Sequence, residues 1–412
     1  MRRRAPVWLM GLTYSTFGMY GGIVTVSMPQ LLAARHIGES TIAMMSAVIV
    51  SPSFWSFLFS PILDVRFTRR WYSVTTAIAA AVLLVLAMLN LDRLAWFALY
   101  LTAGFFSATL YQGAVGGWLA SIIPSADENR LSVWVNIGNI CAGGAMAMVA
   151  GALMRLLPST AAALVLGAAL LAPTAVFPWM PVAAADISGA RGSLQRFLLD
   201  LALLLRRRDV LLALMLFIAP AATFSLTNFL AGVGQDFQAS ARSVALVGGA
   251  AVLLGGACGC LLFPLIDRLL PLRFLYLSIG ALGALFTLAS ILLPRTPVSF
   301  AIAFIGQNVF QALAFTASTA ITLDAIGRRN PLSATAWCLM FSAYNVPISY
   351  MLLVDGAGYG WRGVTGSYLA DGAVSLVACL LLAVCLLRVR RAATATGPAA
   401  QPAARSIGTL QG

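Results

Sequence analysis

Phe59-Ser60-Pro61-Ile62-Leu63-Asp64-Val65-Arg66, followed by Arg69-Arg70, separates two apolar runs in the first half of the chain. Leu262-Phe263-Pro264-Leu265-Ile266-Asp267-Arg268, followed by Arg273, does the same in the second half. Pro61 and Pro264, and likewise Asp64 and Asp267, are 203 positions apart, close to half of the 412 residues. Leu131-Ser132 and Leu332-Ser333 form a third echo at nearly the same offset. An apolar run, an acidic residue and a basic cluster, recurring once per half, describe a duplicated helical unit whose two copies enclose a site between them.

Composition says what those units are immersed in. Apolar residues make up 60% of the chain and charged residues 9%, with a mean hydropathy of +0.91. A soluble domain is about half apolar and about a quarter charged. Apolar runs are expected at 7–34, 41–62, 72–90, 95–123, 130–155 and 159–181, then 209–233, 242–264, 272–293, 297–325, 331–354 and 364–387. Each is long enough for a spanning helix of about 20 residues. The expected fold is therefore an all-α membrane protein with twelve transmembrane helices in two six-helix bundles. Residues 1–182 would form the first bundle and 209–391 the second. Part of a linker over 183–208, with Leu194, Phe197, Leu198, Leu201 and Leu204 at helical spacing, reads as an amphipathic surface helix. The small, proline-containing tail 392–412 reads as disordered.

All 26 basic residues are arginines, and the net charge is +13. They sit in short clusters between apolar runs rather than on one basic face, so nucleic acid is not an expected partner. With twelve spans, twenty of the 26 arginines fall on the face carrying both chain ends. The positive-inside rule then puts both termini in the cytoplasm, and the expected location is the cell's inner (cytoplasmic) membrane. The six cysteines lie in apolar stretches without a CxxC pair, and His36 is the only histidine. Disulfides, a metal site, a cofactor and enzymatic chemistry are accordingly not expected. No phosphate-cradling GxxxxGK[ST] loop is present, which argues against direct drive by ATP.

The 6+6 arrangement and the repeated acidic-then-basic loop resemble the major facilitator superfamily. Phe57-Leu58-Phe59-Ser60-Pro61-Ile62-Leu63-Asp64, Ser333-Ala334-Thr335-Ala336 and a Gly358-Tyr359-Gly360-Trp361 loop before span twelve are most similar to its muropeptide-permease (AmpG-type) branch, which also contains acetyl-CoA transporter relatives. Ser60, Val65 and Phe67 stand where the superfamily loop has Gly, a basic residue and Gly. Thr109 stands where many proton-coupled members carry Arg before the Gln112-Gly113 pair.

Asp64 with Arg66, Arg69 and Arg70, and Asp267 with Arg268 and Arg273, are candidates for a latch between the halves, because a carboxylate at a helix N-terminus and guanidinium partners form charge-assisted bonds. Charge that merely sets topology is the alternative. The resemblance implies that spans one, four, seven and ten line a cavity. Polar side chains there are Tyr14, Tyr20, Tyr111, Gln112, Asn228, Gln307, Asn308 and Gln311; spans five and eleven add Asn136, Asn139 and Asn345. Such groups either hold a solute or tie helices together. Asp371 lies seven residues into span twelve, roughly 10 Å at 1.5 Å per residue. An ionisable group at that depth is costly and marks a proton-coupling candidate; an interfacial, hydrogen-bonded Asp is the alternative. Asp324, beside Arg328 and Arg329, is a second coupling candidate or a local ion pair. The expected function is secondary, proton-coupled transport of a small polar or amphipathic solute, as in a muropeptide or sugar-type permease acting as a monomer. A multidrug or metabolite exporter and a non-transporting sensor share the same pattern.

Overall fold

The computed structural model describes residues 5–65, 67–183, 202–328 and 330–395. Nine helices among them are long and apolar enough to cross a bilayer. These are α1 (Val7–Ala34), α3 (Arg69–Leu89), α4 (Leu94–Ile122), α5 (Ser125–Leu156), α6 (Ser159–Trp179), α8 (Arg242–Ile266), α9 (Leu272–Leu292), α10 (Pro297–Ile326) and Ser333–Arg391. The last reverses at Arg362 and Gly363, where φ is +58° at the glycine. It is therefore two antiparallel spans, α11 (333–361) and α12 (364–395). Two further crossings are broken helices. In α2 (39–64), Glu39–Val50 is followed by short turns through Pro52 and Pro61. In α7 (208–237), Arg208–Ile218 is separated from Leu226–Phe229 by a non-helical stretch. Proline lacks the N–H and clashes with the preceding turn, so Pro220 ends the first part of α7. The outcome is a twelve-helix, all-α membrane fold.

Three expectations change here. The Gly358–Trp361 stretch is helical, and the loop shrinks to Arg362-Gly363. At Gly358 a Cβ would stand 2.6 Å from the carbonyl oxygen of Gly366, so small residues let α11 and α12 touch backbone to backbone and turn in two residues. Span seven is not continuous. The final helix runs on to Ala395 rather than ending at 391. Leu194, Phe197, Leu198, Leu201, Arg66, Arg329 and the tail from 396 lie outside the described residues.

Helix ends and helix crossings follow from local chemistry. Thr68 Oγ1 accepts from the Trp71 N–H at 3.2 Å and starts α3, and Thr296 does the same for Ser299 at 3.3 Å and starts α10, side-chain caps of the kind that satisfy unpaired N–H groups. Leucines such as Leu246, Leu254 and Leu261 on α8 face outward, as lipid contact requires. Gly18 and Gly22 of α1 press on the carbonyls of Asn139 and Gly143 in α5, and a Cβ on either would overlap them. Replacing Gly18 with Val is expected to lower stability by about 1–3 kcal/mol through overpacking, read as a drop in the thermal midpoint of the purified protein. An unchanged midpoint would show that this contact is loose.

Both described chain ends lie at one face. Ala5 N–H bonds the Trp179 carbonyl, Trp118 Nε1 bonds the Pro181 carbonyl, and Arg208 bonds the Val389 carbonyl near the end of α12. We call this the terminal face.

Candidate functional site

At the terminal face the two halves are joined by one buried carboxylate. Asp64 ends α2, and its Oδ1 accepts from Arg69 Nε at 3.2 Å and Nη2 at 2.9 Å. The same carboxylate receives the first turn of α11 in the other half: the N–H of Ala334 at 3.2 Å, the N–H of Thr335 at 2.7 Å and Thr335 Oγ1 at 2.8 Å. Arg69 Nη2 also donates to the Pro331 carbonyl at 2.8 Å. Asp64 is thus a helix cap supplied in trans, with negative charge at the positive end of a helix dipole. The side chains of Arg69 and Asp64 are 2% and 0% exposed, so the pair is out of water, where charge-assisted bonds are strong. Gly117 lets α4 close on this joint, since a Cβ there would meet Ala334 N and Cα at 2.5 Å. Ser121 and Ser333 complete it at 3.1 Å.

The second copy of the motif is used differently. Asp267 Oδ2 accepts from Asn129 Nδ2 at the start of α5, at 2.9 Å. Its other oxygen is buried without a partner among the described residues. Arg273 pairs with Asp209 at 2.7 Å, within its own half. Arg268 and Arg70 are exposed. One half therefore supplies a full cap and the other a single amide contact.

One turn further in, Tyr14 hydroxyl bonds Gln112 Oε1, and Trp337 Nε1 of α11 reaches both, at 3.2 and 3.3 Å. All three are buried, so Tyr14 and Gln112 seal the halves together in this state. Asn136 also bridges the halves, donating to Thr319 Oγ1 at 2.9 Å and to the Phe315 carbonyl at 3.3 Å. Tyr111 bonds the Thr13 carbonyl at 2.6 Å, and Tyr20 the Leu101 carbonyl at 3.4 Å, both interhelical ties. Gln307 donates to Thr287 at 2.6 Å and Gln311 to Thr227 at 3.0 Å. Asn308 and Asn345 bond carbonyls of their own helices at 2.9 and 2.8 Å. Asn139 is half-buried and Asn228 exposed. The expected Gln307/Gln311/Gln112 group is therefore divided between α10 and the joint at the terminal face.

Away from that face, the break in α7 places Ser225 between two carboxylates. Its hydroxyl is 2.6 Å from Asp355 Oδ2 on α11 and 3.2 Å from Asp371 Oδ1 on α12. Ser225 and Asp355 are 0% exposed and Asp371 is 3% exposed. Carbonyls freed by the break are satisfied by Tyr344, which bonds Ala222 at 3.2 Å, and by Cys379, which bonds Ala221 at 2.9 Å. Ser225 has one hydroxyl hydrogen, and two carboxyl oxygens lie within reach. A single hydrogen cannot serve both, so the cluster closes its bonds only when one carboxyl brings a hydrogen of its own. Asp355 Oδ1 is buried without a partner among the described residues. Asp324, by contrast, is exposed at the terminal face, which suits surface charge rather than a buried coupling group.

No family model and no curated protein sequence matches the chain. Solved structures do. The human organic anion transporter MFSD10 (TETRAN) aligns at a TM-score of 0.67 and 15% identity, over 91% of this chain and 98% of that one. The major facilitator superfamily proton:xylose symporter XylE aligns at a TM-score of 0.65 and 13% identity, over 91% of this chain and 95% of that one. This is the major facilitator fold. The E. coli fucose:proton symporter FucP shares it at a TM-score of 0.65 and 14% identity, over 90% of this chain and 98% of that chain. At such identities the likeness establishes architecture, while side-chain roles come from the contacts above.

Within the major facilitator fold, sequence reasoning misses five functional candidates: Pro331, Ser121, Trp337, Ser225 and Asp355. Ser333 and Thr335 were in view as a motif, though not as a partner of Asp64. Asp355 sits one position past the expected end of span eleven. The Ala219-Pro220 pair was the available signal for the break beside Ser225, because the residue before proline is biased away from helix.

Proposed function

We propose that the chain is a secondary active transporter moving a small polar solute by alternating access, with a proton as the coupling ion. The observation that carries this reading is the joint at the terminal face. Its two halves meet there through one carboxylate, one guanidinium and a helix N-terminus, contacts that can separate as a unit while each half stays folded. A joint of that kind is a two-state element, which rocking of two repeats requires. The coupling group is the Asp355–Ser225–Asp371 cluster, away from that joint. It needs an added hydrogen to complete its bonds, so gaining or losing one changes how the broken α7 is held against α11 and α12.

A neutral solute fits best. Arg69 is the one buried arginine among the described residues, and it is spent on the joint. A multiply anionic solute calls for a fixed cation in its path. Two of the structural neighbours are named as sugar symporters, which favours a sugar or sugar-bearing permease, muropeptides included. The arginine distribution orients both termini to the cytoplasm.

The test uses the purified, full-length protein. Sugars, anhydromuropeptides, peptides and drugs are screened for thermal stabilisation, since a bound ligand stabilises the folded state by mass action. Ligands that raise the midpoint are then assayed for counterflow in proteoliposomes. A neutral sugar-bearing compound is expected to pass both. Stabilisation without counterflow would overturn transport in favour of a sensor.

A further inference from the structure

At the face opposite the joint, the second half carries a guanidinium that no carboxylate balances. Arg295 lies between α9 and α10 and is half-buried. Its Cζ stands 5.0 Å from the ring centre of Phe237, at the end of α7, and 5.5 Å from that of Tyr368 on α12. Nη2 donates to Thr365 Oγ1 in the first turn of α12, at 2.7 Å. Nη1 is buried and has no hydrogen-bond partner among the described residues. The hydroxyl of Tyr368, a residue only 1% exposed, is buried without one too. No carboxylate among the described residues pairs with Arg295. Asp236, next to Phe237, accepts from Tyr359 at 2.8 Å instead. Asp371, one turn deeper than Tyr368, shares Ser225 with Asp355.

We propose that Arg295 Nη1 and the Tyr368 hydroxyl bind a small monovalent anion, chloride, at the start of α12. What is left over here is a surplus of donors. The phenol oxygen faces the guanidinium and can accept from it, yet the phenol hydrogen then still has no acceptor. Buried polar groups ordinarily have one. Water would supply an acceptor but leave the half-buried positive charge unbalanced; an anion supplies both, through charge-assisted bonds. The N-terminus of α12 adds the positive end of a helix dipole, which favours negative charge at the same spot. One guanidinium matches one negative charge, so a monoanion fits better than a phosphate or sulfate dianion. Arg295 is reachable from water, and the rings of Phe237 and Tyr368 hold its plane in place by cation–π contact. All of these residues belong to the second half. The site is therefore separate from the joint and from a passage between the halves, and it leaves the neutral-solute reading untouched.

The experiment uses the purified full-length protein in detergent, with sodium chloride exchanged for sodium methanesulfonate at constant ionic strength. The thermal midpoint should rise saturably with chloride, by about 2 °C or more, as expected of a ligand that binds the folded state. Bromide should act alike, and crystals grown in bromide should show an anomalous peak between Arg295 and Tyr368. Arg295→Gln removes the charge and should raise the half-saturating chloride concentration at least about tenfold. Tyr368→Phe keeps the ring and removes only the hydroxyl; it should raise that concentration about fivefold and carries the test if the Gln variant misfolds. Arg242→Gln, at an exposed arginine that starts α8, should behave as the native protein. A native midpoint that does not respond saturably to chloride overturns the proposal, as does an unchanged chloride response in both site variants. A rise with formate but not with chloride overturns the halide, because the donors would then serve a carboxylate.

Discussion

Asp64→Asn is expected to open the terminal face and make Cys338 reactive. Cys338 is buried behind the joint, against Gly113 of α4, and its seclusion from water depends on the halves staying together. The substitution keeps the size of the side chain and removes its charge. Arg69 then remains buried opposite a neutral amide, and the first N–H groups of α11 lose an anionic acceptor. Removing one partner of a buried ion pair costs about 3–5 kcal/mol, and every 1.4 kcal/mol is tenfold in a two-state equilibrium. The state with this face closed should therefore lose a factor of about one hundred or more. A variant carrying Cys338 as its sole cysteine, labelled with a maleimide in proteoliposomes, reads this directly and needs no knowledge of the solute. Labelling of the Asp64→Asn form should be faster by at least tenfold, and Asp64→Glu should fall between. Equal labelling rates would mean that the joint does not hold the closed state. The exposed Arg35–Asp92 pair, 39% and 93% exposed, provides the contrast. Breaking it should change the thermal midpoint little, because surface pairs contribute about 0–1 kcal/mol.

The legibility of these features tracks what kind of interaction makes them. The twelve crossings were readable because a bilayer demands about 20 apolar residues in succession, a one-dimensional signal. Asp64 was readable because duplication repeated it. Its partners were not, since Thr335 and Pro331 are about 270 residues away and are selected by how two bundles meet. The echo misled in one respect: Asp267 preserves the residue type but reaches a single Asn129 amide, so sequence symmetry overstates structural symmetry. Tyr14 and Gln112 were singled out as polar groups in spanning helices, and they are that. Whether such a group faces a solute or Trp337 depends on the conformational state, which no residue pattern encodes. Asp355 was missed for a local reason. The glycines at 358 and 360 look like a loop, but the helix continues through them, and Gly358 lets α11 touch α12 at Gly366.

The cluster around Ser225 yields the second large effect. Asn at position 371 is the shape analogue of a protonated Asp, and its amide permanently supplies the hydrogen that, under the proposed coupling, the cluster would obtain by taking up a proton. The same holds for Asn at 355. Either variant should keep the halves able to exchange, because the contacts of α7, α11 and α12 are preserved, yet it should lose the dependence on a proton gradient. With one proton per solute, a gradient of one pH unit stores 1.36 kcal/mol and supports tenfold accumulation. In proteoliposomes at that gradient, with choline replacing sodium on both sides, the native protein should approach tenfold accumulation of its solute. Asp371→Asn and Asp355→Asn should fall to a ratio near one while retaining counterflow. The pairing of readouts separates the outcomes. Loss of both would mean that the cluster is structural, while unimpaired accumulation in Ser225→Ala, which removes the shared hydroxyl, would mean that the hydroxyl takes no part in coupling. Accumulation unchanged in both Asn variants would place the coupling elsewhere. Accumulation by the native protein that appears only with sodium would make sodium the coupling ion in place of the proton, with the two carboxylates and the hydroxyl as its candidate oxygen ligands.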